Sequence, residues 1–176
     1  MGQSSSRDAK IVVLGLSNVG KTTILSNLKI PHQGGIYEQE GIKFHLTETI
    51  KGFKGSTWNF WLTECTHSLI FVIDTTIEIL PQINSLEELL TNKQNWEKPI
   101  LILLNKFDQG NINEDETSYL KKTIGNRPYN VVPCVGLTGE GLVMGFKWLS
   151  QALRQREKIG KWDGKYKKTD LGWLKF

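Results

Sequence analysis

Short runs of uninterrupted apolar residues alternate along this chain with segments in which apolar residues recur every three or four positions. Lys10–Leu16, Ser68–Asp74 and Pro99–Asn105 are continuous apolar runs, the pattern of strands covered on both faces. Phe44–Thr49 alternates and is rich in threonine, as a half-buried strand is, and Tyr129–Cys134 is a short strand. Helical spacing follows the first run at Lys21–Ile30, through Ile24, Leu25 and Leu28. It returns at Gln82–Thr91, more weakly at Glu114–Ile124, and at Gly141–Glu157 with Leu142, Phe146, Leu149 and Leu153 on one side. Strands alternating with helices predict an α/β fold, a mostly parallel sheet with helices on both faces.

Composition narrows the class. The 176 residues are 39% hydrophobic and 23% charged, enough apolar mass for a core and too much for a disordered chain. No apolar run approaches the roughly 18 residues that span a bilayer. Cys65 and Cys134 lack disulfide or zinc spacing, are expected to be inert thiols, and suggest a reducing compartment. His32, His45 and His67 have no ligand spacing, so no metal is assigned to them. The net charge of +4 is uneven: Arg154–Phe176 carries eight Lys or Arg against three carboxylates, which leaves the rest of the chain nearly neutral. A nucleic-acid partner, which calls for basic residues spread over the domain, is disfavoured. The expected organisation is a polar segment over residues 1–8, a domain over 9–157 and a basic aromatic tail over 158–176.

Gly15-Leu-Ser-Asn-Val-Gly-Lys-Thr22 fits G-x-x-x-x-G-K-[ST] and lies between a predicted buried strand and a helix, where that motif belongs. Its glycines let the backbone wrap so that N–H groups of Asn18, Val19 and Gly20 face phosphate oxygens. The helix beginning there adds its positive end. Lys21 supplies a charge for the outer phosphates, the Thr22 hydroxyl a ligand for Mg²⁺, and Thr23 a further phosphate contact. Asn105-Lys-Phe-Asp108 follows the third apolar run, on the strand edge that Gly15 also occupies. The Asp108 carboxylate can accept from both N1–H and the exocyclic amine of guanine, a donor pair that adenine lacks. The Lys106 stem packs along the base.

Gly20–Leu25, Leu69–Asp74, Asn105–Asp108, Thr138–Leu142 and Trp148–Ser150 together resemble the ADP-ribosylation factor (Arf) and Arf-like small GTPases, over residues 9 to 155. The resemblance implies the small-GTPase P-loop fold, GTP or GDP with Mg²⁺, and a monomeric switch read by effector and regulatory proteins in trafficking or signalling. It places the last base-contacting loop at Cys134, Val135 and Gly136, where the contact is mainly a backbone N–H.

The γ-phosphate sensors depart from the family. Counted back from Asp74, its W-D-x-G-G-Q element falls on Thr47–Gly52. Glu48 replaces the Asp that orients Mg²⁺-bound water, Lys51 replaces a Gly, and Gly52 replaces the Gln that positions the attacking water. The segment between Ile30 and Phe44 is about ten residues short and holds no threonine for Mg²⁺. Little hydrolysis is expected. Lys51 either approaches the phosphate or is solvated. Two rivals stand beside a switch: a pseudo-GTPase scaffold that binds a partner without cycling, and a P-loop kinase, for which no lid or acceptor site is visible.

Met1–Ser6 fits the pattern for myristoylation of Gly2. One acyl chain holds a membrane only marginally. The basic tail with Trp162, Tyr166, Trp173 and Phe176 either supplies a second membrane signal or packs back on the domain. A cytoplasmic, membrane-associated protein is expected. Trp58 and Trp61 either form an effector surface or cover the shortened loop, and Trp96 is peripheral packing.

Overall fold

The structure is a computed structural model, and it describes residues 7–31, 34–49, 54–92, 97–162 and 164. Six strands form one sheet: β1 (Arg7–Leu14), β2 (Gly34–Gln39), β3 (Ile42–Glu48), β4 (Ser68–Asp74), β5 (Ile100–Asn105) and β6 (Tyr129–Pro133). Their spatial order is β2-β3-β1-β4-β5-β6, with β2 antiparallel to β3 and every other pairing parallel. The fold is therefore the expected α/β one, the P-loop arrangement of small GTPases.

The helices α1 (Lys21–Asn27), α2 (Leu80–Thr91), α3 (Glu114–Ile124) and α4 (Leu142–Lys158) divide between the two faces. Alternate residues of each strand explain the division. Ile11 and Val13 of β1, Ile70 and Val72 of β4 and Leu101 and Leu103 of β5 point towards Ile24 and Leu25 of α1 and Phe146, Leu149 and Leu153 of α4. Val12, Leu14, Phe71, Ile73, Ile102 and Leu104 face the other way, onto Ile83, Leu86 and Leu89 of α2 and Leu120 and Ile124 of α3. Because both faces are covered, β4 and β5 are buried at every position and read as unbroken apolar runs.

Several boundaries differ from the sequence expectation. The strand β2 is not evident from the pattern, because Gly34-Gly-Ile-Tyr-Glu-Gln39 lies on the sheet edge with no residue fully buried. Its hairpin to β3 turns on Glu40 and Gly41, at φ 51° and 71°, the pair of left-handed residues that a type I′ turn requires. The first helix stops at Asn27, not Ile30, where Lys29 adopts φ 59°. A 3₁₀ turn, Gly55–Phe60, buries Trp58 completely, edge-on to Phe71 at 5.6 Å between ring centroids. Fully buried, Trp58 offers no effector surface, and it packs into the core on the α2 and α3 face rather than over the shortened segment between Ile30 and Phe44.

The structured chain also reaches past the expected limits at both ends. Arg7 and Asp8 belong to β1. Beyond α4, Gly160 takes φ 70° while its N–H bonds the Glu157 carbonyl and that of Lys161 bonds the Arg156 carbonyl. This pair of hydrogen bonds is a Schellman stop. It turns the chain so that Trp162 enters the core cluster of α1 and α4 at 7% exposure, and Gly164 accepts from the N–H of Asp8. Trp162 thus packs back on the domain. Tyr166, Trp173, Phe176, His32 and Trp96 lie outside the described residues. Among those described, no helix is long and apolar enough to cross a membrane.

Candidate functional site

The carboxyl ends of β1, β3, β4 and β5 converge on the loop between Leu14 and Lys21. Gly15 is held at φ 149°, and a Cβ there would lie 2.6 Å from the Val72 carbonyl oxygen. Asn18 and Gly20 take φ 65° and 99°. The loop therefore coils back on itself and presents successive N–H groups inward, a concavity suited to anions. Lys21, 8% exposed, curls over it, and its ammonium donates to the carbonyls of Gly15 and Leu16 at 2.9 and 2.8 Å. A β1–β3 register that sets Val13 beside Glu48 brings the end of β3 to the same place. There the Thr22 hydroxyl donates to the Glu48 carboxylate at 2.8 Å. The pair offers hard oxygen donors of the kind Mg²⁺ prefers, with phosphate oxygens to complete the shell. Among the described residues no cluster of three His, Cys, Asp or Glu side chains forms a metal cage.

The second motif meets the first through Asn105, the last residue of β5, which is 2% exposed. Its side-chain amide donates to the Val19 carbonyl at 2.9 Å and accepts from the Gly136 N–H at 2.8 Å. One buried side chain thus ties the phosphate loop to the loop after β6. The fit leaves no spare volume, since a Cβ on Gly20 would lie 2.2 Å from the Asn105 amide nitrogen. Lys106 follows at φ 58°, and its ammonium sits 2.5 Å from the Asp74 carboxylate and 3.5 Å from the Asn18 carbonyl. A cavity of about 260 Å³ opens beside it, lined by Thr23, Lys106, Asp108, Val135, Gly136 and Leu137 among others. All residues expected to contact phosphate or base are therefore brought to one sheet edge, with Asp108 exposed at the cavity.

Three further residues support the site through contacts that the sequence pattern does not reveal. Burial works to raise the Asp74 carboxyl, but Lys106 and the N–H and hydroxyl of Thr76 outweigh it and hold the group below the usual carboxylate range. Gln82, a polar residue on α2 with no exposed surface, clamps the end of β4 by accepting from the Asp74 N–H and donating to the Asp74 carbonyl. Cys134 packs its thiol 3.8 Å from the Asn105 side-chain oxygen, and burial pushes it up to about 12, consistent with an inert thiol. His45 pairs with Asp8, and His67 accepts the Lys10 N–H, so both serve the scaffold. Lys51, Gly52 and Gly2 lie outside the described residues.

The family model for the ADP-ribosylation factor family matches residues 1–153. ADP-ribosylation factor-like protein 14 of Mus musculus is 30% identical over 168 residues, spanning 85% of this chain and 87% of its own. ADP-ribosylation factor-like protein 2 of Arabidopsis thaliana is 30% identical over 170 residues, 85% of this chain and 90% of its own. Among solved structures, the Arl6 BBS3 small GTPase from Trypanosoma brucei with bound nucleotide analogue GppNp has the same fold at a TM-score of 0.70 and 23% identity, covering 84% of this chain and 98% of that one.

Proposed function

The chain belongs to the ADP-ribosylation factor family, and from that premise we propose that it is a guanine-nucleotide-binding protein that holds GTP with little hydrolysis. The observation that carries this reading is Asn105, which joins the phosphate loop to the Asp108 cavity and so sets both at fixed separation. In this reading Asn18, Val19, Gly20, Lys21, Thr22 and Thr23 bind phosphate, and Asp108 accepts the paired donors of guanine. Val135 and Gly136 close the base site, and Lys106 covers one base face.

Thr22 and Glu48 would hold Mg²⁺, which when bound neutralises phosphate charge. Glu48 is one methylene longer than the family's Asp, and its contact with Thr22 supports a direct role at the cation. Hydrolysis rests on a different element. Unaided Ras-type enzymes turn over at only about 10⁻⁴ s⁻¹, and the Gln that orients water is one source of that rate. Gly52 has no side chain to replace it. Acylation of Gly2 and membrane association as a trafficking or signalling switch complete the proposal, supported by the Met1–Ser6 pattern.

Fluorescent GDP, GTP and ATP titrations with and without Mg²⁺ test this reading. Saturable binding of both guanine nucleotides, with ATP excluded, is the expected result. Absence of any nucleotide binding would favour a scaffold that recognises its partner without cycling.

A further inference from the structure

A second cavity lies at the opposite end of the sheet, where β4 and β5 begin. It measures about 330 Å³, and Lys98, Arg156, Lys161, His67 and Trp162 stand in its wall with Glu64 as the one carboxylate among the described residues. The length of β5 separates it from the nucleotide site by about 17 Å.

Its chemistry is almost all donor. Lys98 gives one hydrogen bond to the Glu64 carbonyl at 2.5 Å, and Arg156 gives one to the Glu97 carbonyl at 3.0 Å. Among the described residues both cations hydrogen-bond backbone, with the Glu64 and Glu97 carboxylates nearby, and an ammonium has three donors and a guanidinium five. Lys161 pairs with Glu97 at 2.7 Å across the rim. The Nδ1 of His67 accepts the Lys10 N–H, which fixes the ring in the wall. The indole N–H of Trp162 is buried and meets no acceptor among the described residues. Burial first, then Arg156 and the buried Lys10, outweigh Cys65 and Glu64 and bring the Lys98 ammonium down to about 8. Three terms oppose an anion: the Glu64 carboxylate in the wall, Glu97 on the rim, and the carboxyl end of α4, equivalent to about half a negative charge. The Schellman bonds already occupy the Arg156 and Glu157 carbonyls there, and the cations exceed what remains.

We infer that this cavity is a second, nucleotide-independent anion site, built for a phosphomonoester group of a phosphorylated polyol, with Lys98 and Arg156 as its principal contacts. A cleft in which one sign predominates, with apolar walls, concentrates counter-ions, and the Trp162 and Leu153 walls supply that low-dielectric lining. The volume exceeds that of a bare phosphate and suits a ring bearing one. The source is either a soluble phosphorylated polyol or the headgroup of a lipid.

The test is calorimetry of the full chain with inositol trisphosphate, beside flotation with phosphatidylcholine vesicles that contain or lack phosphatidylinositol bisphosphate. Saturable one-to-one binding is expected for the soluble probe. Lys98→Met with Arg156→Gln should weaken it by roughly tenfold or more, Lys98→Arg should retain it, and Lys122→Gln on α3 should leave it unchanged. Co-flotation with the phosphoinositide vesicles alone assigns the site to a lipid headgroup, and binding of the soluble probe without flotation assigns it to a free ligand. Absence of saturable binding, or equal loss in Lys122→Gln and the cavity variants, overturns the inference. Lys98→Arg and thermal melting keep a folding defect apart from a lost site, and no arm depends on guanine nucleotide.

Discussion

The side-chain amide of Asn105 donates to the carbonyl of Val19 across 86 residues of sequence, at 2.9 Å, while its oxygen accepts from Gly136. Asn105→Ala would leave a buried carbonyl and a buried N–H without partners, each costing about 1–3 kcal/mol. The variant should melt well below the native protein and bind fluorescent GDP at least roughly tenfold more weakly. A native melting temperature with unchanged affinity would remove Asn105 from its bridging role.

Exchange of Asp108 for Asn should change the base rather than abolish binding. The amide can accept from N1–H and donate to a 2-carbonyl, which xanthine has and guanine lacks. Competition between xanthosine and guanosine diphosphates should therefore reverse in Asp108→Asn. Equal loss of both would mean that Asp108 serves the fold alone.

Glu48→Ala separates the cation from the phosphate contacts. Nucleotide affinity in Mg²⁺ should fall by roughly tenfold while affinity in excess chelator stays as in the native protein, because only the cation-dependent part passes through Glu48. A parallel fall under both conditions would contradict a role at the cation.

The two thiols should differ sharply. With the Cys134 thiol pushed up to about 12, its thiolate is scarce near neutral pH and burial bars the reagent. Cys65, expected from the sequence to be inert as well, is only half-buried, so a thiol titration of native protein should count it as one accessible group and Cys134 as a second only after denaturant. Two fast groups would show that the loop beside Asn105 opens readily.

Lys98 gives a pH signature. Its folded value of about 8 lies below the ordinary 10.5, so between those values the unfolded chain binds the extra proton. The native state therefore gains stability from this group as pH rises through that window, and its penalty is fully present below about pH 8. Urea midpoints of Lys98→Met should exceed native most at pH 7, with the difference shrinking towards pH 10. A constant difference would contradict the depressed ammonium.

What the sequence makes legible follows from burial. The strands β4 and β5 are covered on both faces, so their residues must be apolar throughout and their runs are unambiguous. The edge strand β2 buries neither face fully, so no periodicity marks it, and only Gly41 hints at the hairpin. The phosphate and base motifs are readable because each is local and fixed in spacing. Asp74, Gln82 and the Thr22–Glu48 contact are not, since a buried Gln on an amphipathic helix looks like any polar residue until the strand end it clamps is placed. Trp162 shows the same limit: an aromatic in a basic tail reads equally as a lipid contact or a core residue, and the left-handed turn at Gly160 decides it.

Single-turnover phosphate release from protein loaded with GTP and Mg²⁺ bears most directly on the account. The protein should load with GTP and then release phosphate well below the about 10⁻⁴ s⁻¹ of an unaided Ras-type enzyme, because Gly52 offers no side chain to orient water. Release as fast as that of an ordinary Arf-like protein, or failure to load at all, would contradict it.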